Sequence, residues 1–215
     1  MNETILCIGA HSDDIEIGMG ATIAKYVKEG KKVIGITFSF GEGSNPLMKE
    51  DIVIRQRLEE VENVSKLLGI KDRIFIGLPD GKMMKHVDDK EIIIRIENLI
   101  EKYKPNKIFT HADNDPHSDH RAVMKIVLKA VDNLKKDYEV FTFDVWNPFN
   151  IFRSHKPKMY IDVSDTFEMK IKALKLFTSQ KFQGAYSLMP IEIFKSIVYG
   201  WIYNCKYAEK FFKVR

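Results

Sequence analysis

Thr4-Ile5-Leu6-Cys7-Ile8-Gly9-Ala10-His11-Ser12-Asp13-Asp14 begins with six β-favouring, mostly apolar residues and then breaks into a polar turn. A short apolar run bounded by turn residues reads as a buried strand. Residues 17–29 follow with apolar positions at helical spacing and stop at Gly30, a favourable residue just past a helix end. The unit then repeats. Residues 33–38 read as a strand, and 41–46 as a loop from their turn residues. Residues 51–68 form the clearest amphipathic helix, with Ile54, Leu58, Val61, Val64, Leu67 and Leu68 at three- and four-residue steps before Gly69. A strand over 73–76, a turn over 77–81, a helix over 89–103, a strand over 107–110 and a helix over 119–134, capped by Ser118, complete the series. Strand–helix alternation of this kind specifies an α/β fold with a mostly parallel central sheet and helices on both faces. The remainder is less regular: strands over 139–145 and 159–163, helices over 164–177 and 190–199, and an aromatic tail. No repeat or linker divides the chain, so residues 1–215 are expected to form a single domain.

Composition excludes several function classes. Hydrophobic residues make up 45% and charged residues 30%, as in ordinary globular domains, and the net charge is only +4. No basic block is interleaved with aromatics, which argues against nucleic acid. No apolar run approaches the ~18 residues of a membrane span. The start lacks the pattern of a secretory signal. Cys7 and Cys205 stand far apart, as in a reduced protein. These features point to a cytoplasmic chain.

In open parallel sheets, ligands bind at the carboxyl ends of the strands. His11, Asp13 and Asp14 leave the first strand there; His111, His117 and His120 leave the strand over 107–110. Both groups therefore fall on one rim. A catalytic zinc takes three protein ligands and keeps one position open. His11 and Asp14, three apart on a turn, supply two. His120, at the start of a helix that fixes its direction, supplies the third. A metal there lowers the pKa of coordinated water toward ~7. Asp13 is left to act as general base, and His117, as an imidazolium, to stabilise an oxyanion or protonate a leaving amine. Asp119 is placed to orient a histidine. His111 reads as a spare polar loop residue, and His86 and His155 as exposed. Arg57 and Glu60 read either as a surface pair or as an arginine facing the rim to hold a polar substrate. Gly18-Met19-Gly20 comes too late after the strand, and lacks the third glycine, for a dinucleotide loop. Met83-Met84 and the late aromatics Trp201, Tyr203, Phe211 and Phe212 read as packing residues.

The motifs also resemble those of a known family. Ala10-His11-Ser12-Asp13-Asp14-Ile15-Glu16-Ile17-Gly18 resembles the AHPDD(V)EIG signature of the PIG-L/LmbE-like zinc-dependent deacetylases, and His117-Ser118-Asp119-His120 resembles their HPDH motif. Arg57-x-x-Glu60 with Leu68-Gly69, Gly77-Leu78-Pro79-Asp80-Gly81, the stretch ending in Ser179-Gln180, and Tyr207-Ala208-Glu209 resemble further motifs in the same order. The resemblance implies a Rossmann-like three-layer sandwich and removal of an N-acetyl group from an amino sugar or its conjugate. It implies one zinc held by His11, Asp14 and His120, with Asp13 as base, His117 on the oxyanion, Arg57 near substrate and Asp119 orienting its neighbours. Two serines, Ser12 and Ser118, stand where the family has proline. Asp115 stands where some members carry a tyrosine that assists the oxyanion. The competing classes are a non-haem iron oxygenase, which also uses two histidines and a carboxylate, and a sugar-binding relative without catalysis. The substrate expected is a small N-acetylated sugar or glycoconjugate. The aromatic tail leaves a homo-oligomer open.

Overall fold

The computed structural model describes residues 3–44, 47–147, 156–180 and 184–215. Its elements run β1 (Thr4–Gly9), α1 (Asp14–Lys28), β2 (Lys32–Thr37), α2 (Glu50–Leu68), β3 (Asp72–Phe75), α3 (Lys90–Tyr103), β4 (Lys107–His111), α4 (Ser118–Asn133), β5 (Glu139–Phe143), β6 (Lys158–Asp162), α5 (Phe167–Leu176), α6 (Ala185–Tyr203) and β7 (Ala208–Lys213). Short 3-10 turns at Glu42–Ser44, Met83–His86 and Thr178–Gln180 punctuate the loops.

The seven strands form one sheet in the order β3-β2-β1-β4-β5-β7-β6. The first five are mutually parallel; β7 runs antiparallel to both β5 and β6. β1 is the middle one of the five parallel strands. Alternate strand residues face opposite sides, and β1 divides accordingly. Ile5 and Cys7 enter a core shared with α1, α2, α5 and α6, while Leu6 and Ile8 enter a core shared with α3 and α4. The expected three-layer α/β architecture is therefore present. Successive strands are laid down to one side of β1 (β2, β3) and then to the other (β4, β5). The crevice where the order reverses lies between β1 and β4, which is where such sheets bind ligands.

Several boundaries differ from expectation for local reasons. α1 begins at Asp14, three residues earlier than the apolar periodicity suggests, so the polar turn runs straight into its first turn. The Gly18-Met19-Gly20 stretch lies inside this helix, with a kink at Met19. A side chain at Gly18 would come within 2.3 Å of the Phe143 ring, so the glycine allows helix and strand to touch. His117, not Ser118, caps α4: its Nδ1 accepts a hydrogen bond from the Asp119 amide at 3.2 Å. α6 starts at Ala185, five residues before Pro190; proline favours the first turn of a helix and so misplaces the start. The aromatic tail is the strand β7, inserted between β5 and β6, with Phe211 and Phe212 buried. Trp201, by contrast, is 83% exposed.

α6 buries its charges. Lys170 of α5, fully enclosed, places Nζ 2.9 Å from Glu192 and 2.8 Å from Glu209 of β7. Lys195 Nζ reaches the second Glu192 oxygen at 2.5 Å, and the second Glu209 oxygen accepts the Thr22 amide at 2.7 Å. The network ties α1, α5, α6 and β7 together. Burial raises the Glu192 pKa, but Lys170 and Lys195 outweigh it and hold the carboxyl below its ordinary value. Removing one partner of a buried ion cluster leaves an uncompensated charge. Lys170→Met should therefore lower unfolding free energy by about 3–5 kcal/mol, read as a shift in the urea midpoint. A depressed folded pKa stabilises the fold above the ordinary glutamate value of 4.5 and is lost as pH falls through the folded value. Acid should accordingly narrow the stability gap between the parent and Glu192→Gln.

Candidate active site

The polar cluster occupies the crevice between β1 and β4. Asp14, the first residue of α1, sits where the helix N-terminus favours an anion. Its Oδ2 accepts the His11 amide at 2.6 Å and lies 3.4 Å from His11 Nδ1 and 3.1 Å from His111 Nε2. Its Oδ1 lies 3.3 Å from His120 Nε2, which is itself 3.4 Å from His11 Nδ1. Burial raises the Asp14 pKa, yet His120, His111 and His11 together hold it well below the carboxylate range.

His11 and His117 each commit one ring nitrogen to a hydrogen-bond partner, and His120 turns one toward a carboxylate. His11 Nε2 meets Asp80 Oδ1 at 3.0 Å, leaving Nδ1 toward Asp14. His120 Nδ1 lies 3.0 Å from Asp115 Oδ1, leaving Nε2 toward Asp14. His117 Nδ1 is occupied by the Asp119 amide, leaving Nε2 free. Burial disfavours charge on His11 and His120. Asp14, Asp119 and Asp80 nevertheless raise His11 well above its ordinary value, and Asp14 and Asp115 raise His120 to about 9. The carboxylates thus demand positive charge at this point. Burial, with His120 and His11 adding to it, lowers His117, and an Nδ1 that accepts an amide puts the proton of the neutral ring on Nε2.

Metal-ligating atoms converge here in three overlapping groups: His11, His117 and His120; Asp14, His111 and His120; and His11, Asp80 and Asp119. Within each group the atoms lie within 4.8 Å of one another.

His111 is not a spare loop residue. It ends β4, is fully buried, accepts the Ala10 amide at 2.9 Å and stacks on His120 with centroids 3.9 Å apart. Burial and the neighbouring His120 lower its pKa to about 4. β4 runs one residue beyond its apolar core, which carries the imidazole inside. His86 pairs with Asp89 at the start of α3, outside the cleft lining. His155 lies outside the described residues.

Asp13 occupies the helix N-cap position, but its side chain makes no cap hydrogen bond. Its Oδ2 instead accepts the Ala185 amide at 3.2 Å. A side chain at Gly184 would sit 2.7 Å from that oxygen. Burial and the adjacent Asp14 push the Asp13 pKa to about 6, against the pull of Arg57 and His11. Asp119 is fully buried. Its two oxygens accept the Gly81 and Met83 amides at 2.7 and 3.1 Å, and it reaches His11 Nε2 only at 3.5 Å. It chiefly fixes the turn that presents Asp80.

Arg57 and Glu60 are both buried and do not form a surface pair. Glu60 accepts from Thr178 Oγ1, the Ser179 amide and Ser179 Oγ at 2.6–2.8 Å, bringing the turn with Gln180 to the cleft. Arg57 donates to Ser12 Oγ at 2.7 Å and Ser44 Oγ at 2.8 Å. The cleft is lined by His11, Asp13, Asp14, Ile17, Gly41, Ser44, Arg57, Asp80, His117, Trp146, Gln180 and Gly184. Residues 45–46 and 148–155 lie outside the described residues.

Sequence reasoning missed Asp80, Asp115, His111 and Gly184. Only Asp80 and Asp115 carried a local signal, as carboxylates beside turn residues.

A doubly wound parallel sheet with imidazoles and carboxylates gathered at its switch point defines a candidate metallohydrolase of the α/β class. Residues 6–131, more than half of the chain, match the family model PIG-L: GlcNAc-PI de-N-acetylase, and the chain belongs to the PIG-L family. It is 29% identical over 177 residues to the uncharacterized deacetylase YaiS of Escherichia coli (80% of this chain, 88% of the relative). It is 26% identical to the diacetylchitobiose deacetylase of Thermococcus kodakarensis (95% of this chain, 80% of the relative). Among solved structures, GalB of Pseudomonas putida, the 4-carboxy-2-hydroxymuconate hydratase, shares the fold with a TM-score of 0.84 at 20% identity, covering 99% of this chain and 96% of that one. The fold thus houses more than one reaction, and the site must decide which.

Glu60→Ala should leave Thr178 and Ser179 without their acceptor. Hydrogen exchange over residues 178–180 should quicken and stability fall by about 1–3 kcal/mol; unchanged exchange would show that the turn is held elsewhere.

Proposed function

We propose that the chain is a zinc-dependent deacetylase that hydrolyses the N-acetyl group of an amino sugar or its conjugate. The observation that carries this reading is the convergence of His11 Nδ1, His120 Nε2 and the Asp14 carboxylate: the two nitrogens lie 3.4 Å apart, Asp14 Oδ2 lies 3.4 Å from the first and Asp14 Oδ1 3.3 Å from the second. Tetrahedral zinc with ligand bonds of 2.0–2.1 Å asks for donor atoms about 3.3–3.4 Å apart, which the nitrogen pair meets. The spacing on the rim and the family resemblance favour these three, and the Ala10 amide already engages His111 Nε2. Asp80 and Asp115 brace the two imidazoles from behind, as carboxylates behind metal-bound histidines do. Zinc bound there would acidify a coordinated water and polarise the acetamide carbonyl.

The remaining steps belong to the chain. Asp13 faces the cleft with a carboxyl near neutrality, held by the Ala185 amide, and takes the proton of the attacking water. His117 presents a neutral Nε2–H to the carbonyl oxygen as negative charge develops on it. The C–N bond then breaks, and the proton held by Asp13 is the nearest one for the departing amine. Arg57 holds a polar group of the substrate. Asp119 acts through the Asp80 turn and is a positioning residue. No helix among the described residues is long and apolar enough to cross a membrane. A cytoplasmic location and a small-molecule partner fit this reading.

Metal analysis of purified protein separates zinc from iron. An acetate-release screen across N-acetylated sugars with added zinc separates a deacetylase from a hydratase or a non-catalytic relative. Asp13→Asn should keep one zinc per chain and lose about 10²–10⁴-fold in turnover; full activity would remove Asp13 as the base. His120→Ala should lose the metal. Asp115→Ala should weaken zinc binding by about 10–100-fold in a chelator competition; unchanged affinity would remove Asp115 as the brace of His120.

A further inference from the structure

Ser12 lies between a metal-site histidine and the carboxylate Asp13, in a position where the resembling family carries proline. It is fully buried, and two arginines meet it. Arg73 of β3 donates from Nη2 to the Ser12 carbonyl at 2.9 Å, and Arg73 is itself paired with buried Glu16 at 2.7 Å. Arg57 of α2 donates from Nη1 to the Ser12 hydroxyl at 2.7 Å. A proline stiffens a loop through its ring but offers no hydroxyl. Here the turn is stiffened from outside by Arg73, and the side chain is free to serve Arg57.

Arg57 depends on that service. Its guanidinium is buried, Nε has no partner, and among the described residues no carboxylate pairs with it. Two neutral hydroxyls, Ser12 on Nη1 and Ser44 on Nη2, set its direction. Gly41 makes room: a side chain there would come within 2.7 Å of Nη1. Guanidinium donors left over face the cleft that Arg57 lines.

We propose that Ser12 is a positioning residue whose hydroxyl aims Arg57 into the cleft, so that the residue at position 12 sets how firmly substrate is held. The kinetic part rests on the deacetylase reading; the structural part does not. In zinc-loaded full-length protein, Ser12→Ala should raise KM about tenfold while kcat stays within about twofold and zinc content is unchanged. Ser44→Ala, outside the metal loop, should move KM in the same direction. In an Arg57→Ala background, Ser12→Ala should add nothing, because the two act as one unit. A fall in kcat with KM unchanged, or the same loss in the Arg57→Ala background, would overturn the proposal. A second readout needs no reaction: NMR of the arginine guanidinium groups should show Arg57 Nη protons protected from exchange in the parent and exposed in Ser12→Ala. Protection that persists in Ser12→Ala also overturns it. A parent that releases no acetate defeats the deacetylase reading instead and leaves the guanidinium measurement to judge Ser12.

Discussion

The Asp14 carboxylate is the fixed point of this molecule. It is an anion placed at a helix N-terminus, in the crevice where the sheet reverses its order, with His11, His111 and His120 on its two oxygens. Such a group is tolerable in a buried crevice only because positive charge surrounds it. The histidines in turn need carboxylates behind them, which Asp80 and Asp115 provide. Those carboxylates are held by backbone: Asp115 accepts the amides of His117 and Trp146, and Asp80 sits on a turn fixed by Asp119 and Glu42. Satisfying one buried charge has drawn in the loops that follow all five parallel strands.

Much of this was legible in the residues. The β1 run, the repeated strand–helix alternation and the rule that ligands bind at carboxyl strand ends locate the rim without coordinates. His11, Asp14, His120, Asp13 and His117 follow from spacing on that rim. What was not legible depends on distance along the chain. Asp80 meets His11 across 69 positions, and Asp13 meets Ala185 across 172. No local periodicity encodes such pairs. The partner of His117 Nδ1 was not legible either, because it is a backbone amide supplied by the first turn of α4. β7 was missed because Glu209 and Lys210 interrupt its apolar pattern. Glu209 is charged only to complete the buried Lys170 pair, a contact visible once three elements have met.

The C-terminal third therefore does more than cover the sheet. α6 is inverted relative to an ordinary amphipathic helix: Glu192 and Lys195 face inward, while Phe194 and Trp201 face out. Inward charges give α6 a single seating, since sliding it would strip Lys170 of Glu192. That seating fixes where its first residues fall, and those residues reach Asp13.

The segment matched by the family model ends at residue 131, within α4. It contains every nitrogen and oxygen proposed to bind the cation, together with His117 and Arg57. It does not contain the amide that holds Asp13, which comes from the start of α6. On the proposed reading, the groups that would hold the cation and the amide that holds the base thus come from different parts of the chain, and Asp13 gains that partner only when α6 seats.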